Sequence, residues 1–275
     1  NVGLYVSFFP QLIAGPIVKY ETVAEEILHR RENWDDFTAG VQRFLMGLGK
    51  KVILSNQLAV VADAAFNHGQ PQSVAFAWIG AVCYILQLYY DFGGYSDMAI
   101  GLGRMFGFHF LENFDYPYIS TSVTEFWRRW HISLTSWFRD YVYFPLGGSR
   151  VNYALLMLEK YGKMGKGWPK AIGWFYTQVA FVLTCVVFRS DSLSAAGSYF
   201  LSLFHIGSMP VWSSQAALYL REYWIILLAA AFCAAPTATW IRKKLTVAAN
   251  GKLLPVWDCV STLALLAVFV VAVCI

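Results

Sequence analysis

A chain of 275 residues, 57% apolar and only 14% charged, carries too few charges to coat a water-soluble surface. The same figures exclude a disordered chain, a collagen and a basic nucleic-acid-binding tail. The net charge of +4 and mean hydropathy of +0.47 instead point to lipid as the solvent, with positive charge gathered in loops. At roughly 20 apolar residues per crossing there is room for about six to eight membrane elements. The expected fold is all-α: a polytopic membrane protein, residues 1–275 forming a single membrane domain. Eleven Trp and sixteen Tyr suit the headgroup zone. The five Cys contain no CxxC pair and read as small buried hydrophobes.

Asn1 opens directly into an apolar run without a basic leader, and Ile275 closes inside another, so the chain reads as a fragment. Val2 to Val18, interrupted by Pro10, Gly15 and Pro16, reads as a kinked or re-entrant segment. Lys19 to Asp36 is the most charged stretch and reads as one exposed amphipathic helix. Phe37 to Phe66 has a long helical pattern in which Lys50 and Lys51 mark an interface. Val74 to Tyr90 reads as a span with Tyr89 and Tyr90 at its aromatic end. In Asp91 to Phe110, Gly103 and Gly107 form a close-packing pair. Asp91 and Asp97 serve there either as a polar lining or proton relay, or as caps and arginine partners, with Asp97 or Asp115 facing Arg104. GLGRMFG is not a dinucleotide fingerprint: its third glycine falls one place late and no strand precedes it.

Further on, Lys160, Lys163, Lys166 and Lys170 form a basic loop. Ala171 to Phe188 reads as a span, Ser194 to Ile206 as a weaker amphipathic piece, and Tyr223 to Ile241 and Val256 to Ile275 as spans. The basic loop and Arg242 to Lys244 are two spans apart, so both can be cytoplasmic, with Arg189 and Asp191 on the opposite face.

The segment TEFWRRWHISLTSWFRDYVYFPLGG fits poorly on a simple span, because Glu125, Arg128, Arg129, His131, Arg139 and Asp140 lie among its aromatics. On one helix Trp127, Trp130, Leu134, Trp137, Phe138 and Tyr141 would share a face, and Glu125–Arg129 and Ser136–Asp140 would pair at i,i+4. Ionisable groups at membrane depth face a cavity or a partner, so the segment is expected to be a short or re-entrant helix lining a polar passage, ended by Pro145, Gly147 and Gly148. A neutral imidazole there can take a proton near physiological pH. A lone histidine is more often structural, and both readings of His131 stay open. His29, His68, His109 and His205 sit in less suggestive surroundings. Ser96 is not in a GxSxG elbow, and no HExxH, Walker loop or metal-spaced cluster occurs, so no metal is expected.

Three strings, SFFPQLIAGPI (Ser7 to Ile17), DFGGYSDMAIGLGRMFGF (Asp91 to Phe108) and ENFDYPYISTSVTEFWRRWHISLTSWFRDYVYFPLGG (Glu112 to Gly148), resemble the membrane-bound O-acyltransferase family. The resembling branch is the bacterial one that includes the alginate O-acetylation and teichoic acid D-alanylation proteins. The resemblance implies a helical bundle, with short or re-entrant helices around a tunnel, in a bacterial cytoplasmic (inner) membrane. It implies transfer of an acyl group, acetyl above all, from a thioester donor (acyl-CoA or an acyl carrier) to a hydroxyl of an extracytoplasmic polysaccharide such as alginate, with no bound cofactor. His131 falls on the histidine of the family's FWRRWH string and is the catalytic candidate. Asp97, Glu125, Trp127, Arg128, Trp130, Arg139 and Asp140 are the tunnel- or substrate-lining candidates, with Arg128 or Trp130 as donors to the developing carbonyl charge. The implied partners are the polysaccharide, membrane lipid and proteins of an acylation complex, with no nucleic acid.

Two departures bear on activity. The family's N-terminal spans are missing, and so is the WHG string that carries its most characteristic histidine. The chain passes from GGSRVNY straight to ALLMLEKYGK, as if a segment were lacking between Tyr153 and Ala154. A catalytically inactive scaffold that binds an acylation partner is therefore a rival reading. A transporter is another, motivated by Asp91, Asp97, Arg104, Arg128 and Arg129, although no inverted repeat is visible.

Overall fold

The computed structural model describes residues 2–7, 15–67, 71, 73–145, 169–204, 209–248 and 254–274. Pro10, His68, Gly147, Gly148, the Tyr153–Ala154 junction, His205 and the lysines Lys160, Lys163 and Lys166 lie outside them. Among the described residues the chain is helical with no strand. Five helices there are long and apolar enough to cross a membrane, at 34–66, 74–105, 170–189, 214–233 and 254–274. A shorter apolar helix, Leu193–Leu203, accompanies them.

Helix α1 is Val2–Ser7 and α2 is Tyr20–His29. The single helix expected over Lys19 to Asp36 is broken. Arg30 closes α2 through Glu26, and Asn33 Oδ1 accepts the Asp36 N–H at 2.7 Å to start α3, Trp34–Gly49. A π-helical stretch, Lys50–Ser55, leads into α4, Asn56–Phe66. Lys50 and Lys51 each have an acidic partner. Their ammonium groups bond acids of α5, Val74–Met105, with Lys50 on Asp97 and Lys51 on Asp91.

Helix α5 is continuous through DFGGYSDMAIGLG, so Asp91 and Asp97 do not stand among flexible glycines. Tyr89 and Tyr90 are buried within α5 rather than placed at an aromatic end, and the Tyr90 hydroxyl donates to the Ala230 carbonyl. Gly103 and Gly107 are not a helix-packing pair. Gly103 makes room for the Phe110 ring. Gly107 takes φ +76, and bonds from the Phe108 N–H to Gly103 O and the Gly107 N–H to Arg104 O close α5 as a Schellman motif.

The chain divides into two compact units, 1–40 with 99–178 and 41–98 with 179–275. The first contains the 3₁₀ turn Pro117–Ile119, α6 (Val123–Arg129), α7 (Ile132–Phe138), the π-helical turn Arg139–Tyr143 and the start of α8, Lys170–Arg189. Its core gathers Val23, Ile100, Phe108 and Phe110. A Cβ on Gly40 would stand 2.6 Å from the Gly101 carbonyl, so only glycine permits that approach. The start of α8 is tied to the 3₁₀ turn by Trp174 Nε1 donating to the Tyr118 carbonyl at 2.8 Å.

The second unit holds α9 (Leu193–Leu203), α10 (Ser214–Cys233), α11 (Thr237–Ala248) and α12 (Leu254–Cys274). The span expected over Tyr223 to Ile241 is displaced. Ser213 caps α10 by accepting the Ala216 N–H, and the chain turns through 234–236, where Pro236 brings no N–H, before α11 begins. The Val74 and Ala75 N–H groups at the start of α5 donate to the Pro210 and Val211 carbonyls at 3.1 and 3.0 Å. Phe66 stacks on Tyr199 with centroids 4.2 Å apart, and Arg189 bonds Asp63 and Asn67 at 2.7 and 2.9 Å. The cysteines divide: Cys83 and Cys185 are buried, whereas Cys233, Cys259 and Cys274 are exposed on the protein surface, because α10 and α12 turn most of their side chains outward.

Candidate functional site

The site is built in the first unit around His131. The segment after Ser120 starts with a strong helix signal. Ser122 accepts the Glu125 N–H at 3.2 Å, and the Glu125 carboxylate reaches back to the Thr121 N–H at 3.0 Å, a close relative of the capping box. The Thr121 amide, then the Thr121 hydroxyl and Arg129, hold the Glu125 carboxyl below its usual range. Arg129 links Glu125 at 3.2 Å to Asp115 at 2.8 Å, so the expected i,i+4 pair forms and is extended.

The continuous aromatic helix expected through this segment is not formed. It breaks between α6 and α7, where His131 adopts φ 45, ψ 56. This left-handed conformation is costly for a residue with a Cβ. Tyr116 is the other non-glycine residue with positive φ among the described residues. Two backbone bonds clasp the break: the Asp115 N–H donates to Arg129 O and the Ile132 N–H to Asn113 O, both at 2.9 Å. The aromatic side chains consequently separate. Trp130 is 7% exposed, stacked on Phe126 and set edge-on to Phe114, whereas Trp127, Trp137 and Tyr141 are exposed.

His131 is half-buried, and burial pushes its pKa below the ordinary 6.5, so the ring is neutral at pH 7. Its Nδ1 lies 3.1 Å from Asn113 Oδ1 and 3.4 Å from the Ser133 hydroxyl, and its ring is near-parallel to Phe114. Sequence reasoning does not indicate Asn113 or Ser133. Asn113 lies 18 residues upstream in an irregular segment, beyond the reach of helical periodicity.

The other expected site residues divide. Arg128 is exposed. Asp140 does not pair with Ser136; its carboxylate takes Lys19 at 2.7 Å and Arg139 at 3.0 Å, and Lys19, then Arg139, hold it below the usual carboxylate range. Asp97 belongs to the second unit, where Arg43 reaches it at 2.6 Å and Lys50 at 2.5 Å. Neither Asp97 nor Asp115 faces Arg104, which takes Asp36 at 2.9 Å. A cavity of about 120 Å³ in the first unit is lined by Ile17, Lys19, Leu111, Ser133, Ser136 and Trp137 among others, so Ser133 touches both Asn113 and a space.

Residues 1–157 match the model of the membrane-bound O-acyltransferase family. Over 241 aligned residues, taking in 75% of this chain and 48% of the relative, the chain is 40% identical to the probable alginate O-acetylase AlgI of Pseudomonas fluorescens. It is 34% identical to the peptidoglycan O-acetyltransferase of Helicobacter pylori over 71% of this chain and 45% of that protein. It is 32% identical to the teichoic acid D-alanyltransferase of Bacillus subtilis over 50% of this chain and 36% of that protein. The chain thus spans about half the length of the curated relatives it matches. With five helices fit to span lipid and a family match that contains His131 and its partners, the chain is a multi-pass membrane protein and belongs to the membrane-bound O-acyltransferase family.

Proposed function

We propose that the chain is part of a membrane O-acyltransferase of a bacterial cytoplasmic membrane, moving an acetyl group from a thioester donor to a hydroxyl of an extracytoplasmic polysaccharide such as alginate. The observation that carries this reading is a neutral, half-buried imidazole fixed in a strained turn inside the family-matched residues. The relatives named for O-acetylation of alginate and of peptidoglycan support the acceptor class. His131 takes the proton of the acceptor hydroxyl, and the hydroxyl oxygen attacks the thioester carbonyl carbon. The C–S bond breaks and the proton passes to the departing thiolate, leaving an ester and a free thiol. A positioned base of this kind contributes about 10²- to 10⁴-fold. Arg128 and Trp130, on either side of the Arg129 tether, are the proposed donors to the carbonyl oxygen as its charge develops. The donor is acyl-CoA or an acyl carrier, and proteins of an acylation complex deliver it.

The second reading is a chain that binds donor or partner without turnover. It is favoured by the absence of WHG between Gly148 and Lys160. A lacking internal segment is further supported by the alignment itself: its 241 residues exceed the 75% of this chain that they cover, so the relative carries positions this chain does not. Sequencing the gene across Arg150 to Lys160 tests that reading, because an intervening apolar segment with Trp-His-Gly would return the missing histidine. Acetyl transfer to polysaccharide in membranes carrying the full-length protein tests the enzyme reading. Loss of transfer in His131→Ala is the expected result, and unchanged transfer removes His131 from the mechanism.

A further inference from the structure

We infer that Asn113 is a positioning residue that sets the tautomer of His131, placing the ring proton on Nδ1 and the basic lone pair on Nε2. This rests on the proposed role of His131 as base and adds to it the residue that makes the imidazole usable.

Asn113 is 1% exposed. Its Oδ1 lies 3.2 Å from the Ser133 backbone N and 2.9 Å from the Ser133 hydroxyl. A backbone N–H can only donate, so the amide atom facing it is the oxygen, and the orientation of the amide is settled. The same oxygen faces His131 Nδ1 at 3.1 Å. An amide oxygen can only accept, so Nδ1 carries the proton. In a neutral imidazole the other nitrogen then holds the lone pair. The far end of the amide agrees with this. Asn113 Nδ2 is buried and has no hydrogen-bond partner among the described residues, so the amide engages this site through its oxygen. What the site gains from this amide is its acceptor.

The backbone makes the same choice. The Ile132 N–H donates to the Asn113 carbonyl, so one residue holds the turn through its main chain and the ring through its side chain. Arg129, two residues before His131, is engaged with Asp115 and Glu125. Burial is the cause that moves the His131 pKa.

Two measurements test the inference. The first needs no acyl transfer: ¹⁵N spectra of the histidine-labelled chain in detergent, with His131 identified by its loss in His131→Gln. The expected result is Nδ1–H as the dominant neutral form in the native chain and a shift toward Nε2–H in Asn113→Ala. A native Nε2–H form, or a tautomer indifferent to Asn113, overturns the inference whatever the enzyme does. The second uses the full-length protein in membranes. Asn113→Asp keeps the shape and adds a charge beside Nδ1, so the acid limb of the pH–rate profile should move up by about one pH unit or more. Asn113→Ala should lower kcat about 10- to 100-fold with KM little changed, within what a base contributes. If His131→Ala abolishes transfer while both Asn113 variants keep the native rate and profile, positioning fails and the base stands. If His131→Ala is fully active, the base fails while the tautomer measurement still decides the role of Asn113.

Discussion

Lys50 donates to the Asp97 carboxylate at 2.5 Å from a position 47 residues upstream, and Arg43 binds the other carboxylate oxygen. Asp97 is 6% exposed. One acid thus holds two cations, and the consequences of removing either side are unequal. Asp97→Ala leaves both cations without this partner and should cost about 3–5 kcal/mol, the range for breaking a buried pair. Lys50→Met leaves the acid with Arg43 and should cost clearly less. Thermal unfolding of the detergent-solubilised chain measures both, and equal losses would contradict the shared-acid geometry.

The second unit also depends on a close backbone approach. A Cβ on Gly47 would sit 2.5 Å from the Gly94 carbonyl and 2.7 Å from the Met98 N, atoms that cannot swing aside. Gly47→Leu should therefore destabilise by about 1–3 kcal/mol through forced separation of the backbones. Gly197 supplies the control. It lies inside α9, and a methyl group added there would meet nothing within 4 Å, so Gly197→Ala should be neutral or should stabilise by up to about 1 kcal/mol. Unfolding temperatures of the two variants check the contrast, and similar values for both would remove the close approach at Gly47 as a constraint.

These two relationships show where reading from the sequence stops. Apolar runs of membrane length locate the span at 170–189 and the last one closely, because the signal is local composition. The Glu125–Arg129 pair is legible for the same reason, since four residues of helix bring the partners together. By sequence Asp91 and Asp97 are acids in a loose glycine-rich stretch. Their glycines serve helix approach instead, and their cations come from 40 and 54 residues upstream, with Lys50 between. The break at His131 is invisible to pattern reading because the aromatic period runs straight through it. The interruption is imposed by Asn113 and Asp115, which belong to a distant segment. His131 itself is found through the FWRRWH string, whereas Asn113 and Ser133 carry no signal that periodicity or spacing could show.

The start of α6 gives a pH-dependent test. Glu125 is held below its ordinary value of 4.5, first by the Thr121 amide and then by the Thr121 hydroxyl and Arg129. A depressed carboxylate contributes stability that is present above pH 4.5 and is lost as pH falls through the lowered folded value. Its side chain is 36% exposed, so solvent screening limits the effect to under about 1 kcal/mol. Glu125→Gln should unfold at a lower temperature than the native chain at pH 7, and the gap should close in acid. A gap unchanged down to the lowest pH at which the chain stays folded would mean that the charge of Glu125 is not what caps α6.

The imidazole gives the opposite kind of titration and the sharpest test of function. Burial lowers the His131 pKa, so the folded protein favours the neutral ring. Below pH 6.5 the unfolded chain takes up a proton that the folded site resists, and stability from this group falls as pH drops from 6.5 toward the lowered value. Under the proposed mechanism activity should track the same equilibrium, because only the neutral ring can accept the hydroxyl proton. The acid limb of kcat/KM for acetyl transfer by the full-length protein should therefore have its midpoint below 6.5 rather than above it. Phe114→Ala uncovers the near-parallel ring beside His131 and admits water, so it should move that midpoint up toward 6.5. A midpoint above 6.5 in the native protein would mean that an anion, not burial, governs the histidine, and the neutral-base mechanism would have to be replaced.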